Sequence, residues 1–136
     1  MGSSLYERLG GKDSIAAVVE GFSGRVGKDD RINQKFGRTN ITRLRGMLID
    51  QICEVSGGPC VYTGREMKEA HAGMGVTGGE FDAMVEDLVS TLDEFKVAKE
   101  DQRQVLRFFE SLRGEVIEVE SAETGTALPD TFQAAP

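Results

Sequence analysis

Apolar residues recur through most of this chain at the spacing of one helix face, and that spacing limits what it can fold into. From Asp13, the positions Ile15, Val18, Val19, Phe22 and Val26 repeat with a period near 3.6. A second stripe, Leu44, Met47, Leu48, Gln51, Ile52 and Val55, begins after Asn40, a good N-cap, and stops at Gly57-Gly58-Pro59. A third, Phe81, Met84, Val85, Leu88, Val89, Leu92 and Phe95, opens on Thr77-Gly-Gly-Glu80, a capping box. Lys96 to Asp101 is a polar linker. The fourth stripe then holds Val105, Leu106, Phe108, Phe109, Leu112, Val116 and Ile117. Ser4 to Leu9 adds a short opening helix before Gly10-Gly11, and residues 29–36 a further helical turn around Ile32 and Phe36. No run alternates with period two, and no segment repeats. These patterns predict an all-α chain with four substantial helices.

At 136 residues the chain is one domain. Residues 1–120 are expected to fold. Residues 121–136, rich in Ser, Thr, Ala, Gly and Pro, are expected to be a flexible tail. The net charge of −7 argues against nucleic acid as a partner. No apolar run reaches membrane-spanning length. The first long helix is broken by Glu20 and Arg25, unlike a signal peptide, so a cytoplasmic protein is expected. In that compartment Cys53 and Cys60 are expected to be free thiols; pairing them would need the intervening glycine turn to fold back suitably. Residues 25–45 carry seven basic groups against Asp29 and Asp30, which leaves the rest of the chain at −12. Those cations either cover solvated faces or meet an anionic ligand or partner.

The only histidine, His71, sits in a short helical run, Arg65 to Ala72, between Gly64 and Gly73. Met67, four residues earlier, shares its face. Taken alone, such a histidine reads first as a half-buried residue with no ligand role, because most histidines bind no metal.

Its surroundings resemble the group I truncated haemoglobins, the two-over-two globins. Three groups of residues carry the resemblance: Leu5-Tyr6-Glu-Arg-Leu9-Gly10-Gly11 with Phe22; Phe36-Gly-Arg-Thr39-Asn40 with the helix ending Gly57-Gly58-Pro59; and Tyr62-Thr63-Gly64, Met67-Lys68, His71-Ala-Gly, Val76-Thr77 and Phe81. They run in order over about residues 4 to 118. The resemblance implies a two-over-two helical sandwich around haem b, with His71 as the proximal iron ligand. It places Phe22, Phe36, Leu44, Met47, Leu48, Met67, Val76, Phe81 and Val85 against the haem. Arg43, Tyr62, Arg65 and Lys68 would then meet its propionates.

The implied function is binding of small diatomic ligands (oxygen, nitric oxide, carbon monoxide), for oxygen transport or nitric oxide handling, with a reductase or other redox partner. The implied ligand pocket is Ser23, Leu44, Leu48 and Gln51. Here the chain departs from the family. Ser23 stands where a tyrosine commonly follows the phenylalanine, and Leu48 where a glutamine is frequent. A ligand retained through hydrogen bonds should therefore be held less well, which weakens the case for nitric oxide dioxygenase activity; a peroxidase-type side activity stays open. Met47 stands where some relatives carry a histidine that becomes a sixth iron ligand. It either packs or ligates, and ligation would make this a six-coordinate His/Met redox or electron-transfer protein. A helical bundle without haem, acting through its surfaces, is the third reading.

Overall fold

The computed structural model describes residues 3–132, and helices form where the stripes predict them. In order they are α1 (Leu5–Arg8), α2 (Gly11–Lys28), a 3-10 turn (Asn33–Phe36), α3 (Ile41–Val55), α4 (Met67–His71), α5 (Gly78–Glu94), α6 (Lys99–Ser111) and α7 (Arg113–Val116). The fourth stripe is thus split, with Leu112 capping α6 and opening α7. Among the described residues no helix is long and apolar enough to cross a membrane.

Side chains fix the helix starts. Asn40 accepts from the Arg43 amide at 3.1 Å, which satisfies one of the free donors at the start of α3. At α5, Thr77 accepts from the Glu80 amide and the Glu80 carboxylate accepts from the Thr77 amide, both at 3.0 Å. Helix α1 has the same reciprocal box between Ser4 and Glu7.

Helix α2 packs on both α3 and α5, and α6 on α5, giving two crossed helix pairs. Ile15, Val19, Phe22 and Val26 meet Leu88, Leu92, Val105 and Phe109 in the main core. A second cluster of Met74, Val76, Phe81, Val116 and Phe132 lies beneath α4. Two residues of the predicted inner stripes stay out: Val55 is 47% exposed and Phe95 41%. Phe95 caps α5 and lies across Gly21 of α2, which has no side chain to displace it.

Two expectations are corrected. Cys53 and Cys60 are not free thiols: they form a disulfide, their Cα atoms 5.6 Å apart. The turn between them makes this possible. Gly57 has φ 93°, open to glycine at little cost, and the Gly58 amide donates to Cys53 O at 2.8 Å. A Cβ on Gly58 would come within 2.7 Å of Cys53 Sγ. The described part of the presumed flexible tail, 121–132, is packed rather than loose. The Gly79 amide donates to Ser121 O, the Gly125 amide to Arg31 O, and Phe132 is buried. Backbone hydrogen bonds and one aromatic anchor hold a stretch whose composition suggested disorder. Residues 133–136 of that expected tail lie outside the described residues.

Candidate functional site

The apolar stripe of α3 has no full protein partner. Leu44, Met47 and Leu48 are only half-buried, since they face a cleft instead of another helix. That cleft holds a cavity of about 680 Å³, within the roughly 300–1,000 Å³ usual for small-molecule and cofactor sites. Phe22 and Val26 of α2, Phe36, Leu44 and Leu48 wall one side. Met67, His71, Met74, Val76, Phe81 and Met84 wall the other. A smaller cavity of about 180 Å³ continues from it past Arg43, Met47, Arg65 and Phe132.

His71 lines both cavities. Its Nδ1 lies 2.8 Å from Met67 O, one turn back on α4. A carbonyl can only accept, so Nδ1 carries the proton and, in the neutral ring, Nε2 keeps its lone pair. Burial pushes the imidazole pKa below its ordinary value, opposed by the Met67 bond and aided by nearby Arg65. The neutral form therefore dominates at neutral pH. A fixed tautomer with a free Nε2 is the arrangement a metal-ligating histidine needs.

The expected site residues divide. Phe22, Ser23, Phe36, Leu44, Leu48, Gln51, Met67, His71, Val76 and Phe81 line the main cavity; Arg43, Met47 and Arg65 line the smaller one. Tyr62, Lys68 and Val85 line neither. The Tyr62 hydroxyl donates to Arg65 O at 2.6 Å, Lys68 points to solvent, one position round α4 from Met67, and Val85 packs in the second core cluster. Ser23 reaches the cavity wall, but its Oγ donates to Val19 O at 2.8 Å. Gln51 directs Nε2 at Met67 Sδ, 3.5 Å away, and so bridges α3 and α4.

Lys35 and Glu80 also line the main cavity, a role no local pattern in the sequence marks. Lys35 is 3% exposed and Glu80 2%, their charged atoms 3.7 Å apart. Met74 was also missed, although it stands three residues past His71, on the same side. Three of the seven basic residues of 25–45 form ion pairs, Arg25 with Glu94 and Arg31 with Asp29 and Glu86 near the surface, and Lys35 with Glu80 in the interior. Arg43 and Arg45 form no ion pair among the described residues, and Arg45 Nε is buried without a hydrogen-bond partner on the main cavity. An apolar slot with one lone-pair nitrogen and arginines at its edges suits a flat, largely apolar, anionic cofactor.

Two crossed helix pairs enclosing such a slot define a globin. The family model for bacterial-like globins matches residues 4–118. The group 1 truncated haemoglobin of Mycolicibacterium paratuberculosis is 33% identical over 114 residues, 84% of each chain. Among solved structures, the ferric truncated haemoglobin of Tetrahymena pyriformis superposes with a TM-score of 0.80 at 31% identity, over 85% of this chain and 98% of its own. The 2/2 haemoglobin of a Synechococcus species, solved in the cyanomet state with covalently attached haem, gives 0.80 at 33% identity, over the same shares. This chain belongs to the group I truncated haemoglobins.

Proposed function

We propose that the cleft would hold haem b, with His71 Nε2 as the nitrogen that would ligate its iron, and that the loaded protein would bind small diatomic ligands such as oxygen, nitric oxide or carbon monoxide. One observation carries the reading: an apolar cavity of about 680 Å³ whose wall includes a single imidazole, with its tautomer set by Met67 O. The relatives whose structures are described as ferric or haem-containing support it. When bound, the haem would supply an iron able to take such a ligand.

The chain's own residues do the rest. Met67 O holds the Nδ1 proton, which aims the ring and makes Nε2 a better donor. Phe22, Phe36, Leu44 and Leu48 keep water from the ligand side. Arg43 and Arg65, with the unpartnered Nε of Arg45, offer positive charge to the carboxylates. Ser23 donates to Val19 O, so the ligand side lacks the hydroxyl donor a tyrosine would give. This favours binding and release of ligands over chemistry that depends on holding polarised oxygen.

Haemin titration tests the reading. The protein should take up one equivalent with a sharp Soret band. His71→Ala should bind haemin loosely or lose it on gel filtration, since the sequence has no second histidine. Absence of a Soret band in the parent, or an unchanged spectrum and retention in His71→Ala, would refute it.

A further inference from the structure

The match to the family ends at residue 118, and the chain that follows returns to the cleft. Val119 pairs with Thr77 as an isolated parallel bridge. The Gly79 amide then donates to Ser121 O at 3.0 Å. A side chain on Gly79 would collide with the Ala122 backbone, so the two segments lie in direct contact. Further on, the Thr126 amide and hydroxyl both donate to Glu80 Oε2 at 2.7 Å. Lys35 Nζ donates to Thr126 Oγ1 at 2.9 Å, to Ala127 O at 3.0 Å and to Met74 O at 2.9 Å. Arg38 donates to the carbonyls of Pro129 and Asp130, and its guanidinium carbon lies 5.8 Å from the centre of the Phe132 ring.

The segment therefore completes a buried polar cluster. Lys35 and Glu80 are both almost wholly inaccessible, and two such charges are tolerated only with their remaining hydrogen bonds satisfied. Thr126 and Ala127 supply those bonds. The same Lys35 fixes Met74 O, three residues after His71. At the end of the path Phe132, 6% exposed, enters the second core cluster and lines the smaller cavity with Met67, His71, Arg43 and Arg65.

We infer that residues 119–132 form a strap that is part of the cofactor site, anchored by Lys35, Thr126 and Glu80, with Phe132 as an apolar wall beside His71. The inference rests on the proposed haem reading. The strap's role is retention: an aromatic wall beside His71 would keep water from its imidazole and obstruct departure of the bound group. These residues lie beyond the family-matched span, which ends at residue 118.

The test uses the full-length chain loaded with haemin. Transfer to excess apomyoglobin gives the dissociation rate, and hydrogen exchange by mass spectrometry follows 119–132 with and without haemin. Phe132→Ala should lose haemin roughly tenfold faster, the order expected when much of a phenylalanine's buried surface is removed. Phe132→Leu should stay near the parental rate. Arg38→Ala, which loosens the strap's end from the exposed side, should lose haemin several-fold faster while far-UV circular dichroism stays unchanged. Exchange in 119–132 should slow on loading. Parental dissociation rates in both Phe132→Ala and Arg38→Ala, or exchange in 119–132 indifferent to haemin, would overturn the strap while leaving the haem reading intact. A parent that takes up no haemin overturns the haem reading, and the inference with it.

Discussion

Ser23→Tyr should slow oxygen dissociation from the loaded protein, whereas Ser23→Ala should leave it unchanged. The asymmetry follows from one proton. Ser23 Oγ gives its hydrogen to Val19 O at 2.8 Å, the back-bonding habit of serine within helices. It has none left for a ligand, so alanine removes only a local bond. Tyrosine cannot make that bond and would carry its phenol into the cavity that Ser23 borders, about 680 Å³ in volume. A phenol donating to negatively polarised oxygen is worth about 1 kcal/mol as an ordinary net hydrogen bond and up to about 3 kcal/mol if charge-assisted. At about 1.4 kcal/mol per decade, dissociation should slow by between about fivefold and about a hundredfold. Stopped-flow displacement of oxygen by carbon monoxide measures this. Carbon monoxide release should change much less, because that ligand carries less charge. Parental oxygen release in Ser23→Tyr would place the ring away from the ligand. Several-fold faster release in Ser23→Ala would mean the serine already donates to it. Either result refutes the reasoning.

Asp87 gives a pH-dependent test. Burial, and then neighbouring Asp29, raise its pKa to about 7, while the Arg31 hydrogen bonds lower that of Asp29 to about 2. Between the unfolded value near 3.9 and the native value near 7 the folded state binds the Asp87 proton more tightly, so this group's contribution to stability falls as pH rises through that window. The advantage of Asp87→Asn over the parent should grow from near zero at about pH 4 to about 1–2 kcal/mol at pH 8, after allowance for screening at a side chain that is 14% exposed; equal melting temperatures at pH 8 would contradict this. Reducing the Cys53–Cys60 bond, which spans seven residues, should cost about 2–3 kcal/mol on the chain-entropy account. Dithiothreitol should then lower the melting temperature of the parent but not of Cys60→Ser, and equal sensitivity in both would assign the loss elsewhere. Met47 borders the smaller cavity, so Met47→Leu should leave the ferrous spectrum and carbon monoxide association rate as they were; conversion from six- to five-coordinate iron would instead make Met47 a ligand.

Periodicity made the helices legible because each buries one face along its length. Asn40 and the Thr77/Glu80 box marked their helix starts for the same local reason: a cap satisfies donors only three residues away. The boundary between α6 and α7 was not legible, since Leu112, Val116 and Ile117 continue the apolar spacing through the break. His71 could be located as the one imidazole on a short helix with Met67 beside it. Its tautomer could not, because that rests on a single contact with Met67 O. Nor could Ser23's bond to Val19 O be read, though the loss of the tyrosine at that position was evident.

What composition hid was the use of charge in the interior. Lysine and glutamate are rarely buried, so Lys35 and Glu80 read as surface residues until a partner is found for each. Thr77 and Met74 supply part of their bonding, but the rest comes from Thr126 and Ala127, more than forty residues from either, in a stretch whose few apolar groups suggested no structure. The same applies to Arg38 and Phe132, which are ordinary until the chain returns to bring them together. Helix stripes record contacts spread along an element, and a sequence shows them by repetition. A strap records a few single contacts, each made once, and repetition cannot show it. The cleft is built from both kinds. The helices supply its imidazole and apolar walls, and the strap, with the buried Lys35–Glu80 pair beneath it, closes the edge next to His71. A change at Thr126 should therefore reach the cleft through its bonds to Glu80 and Lys35, without altering any residue of the family-matched span.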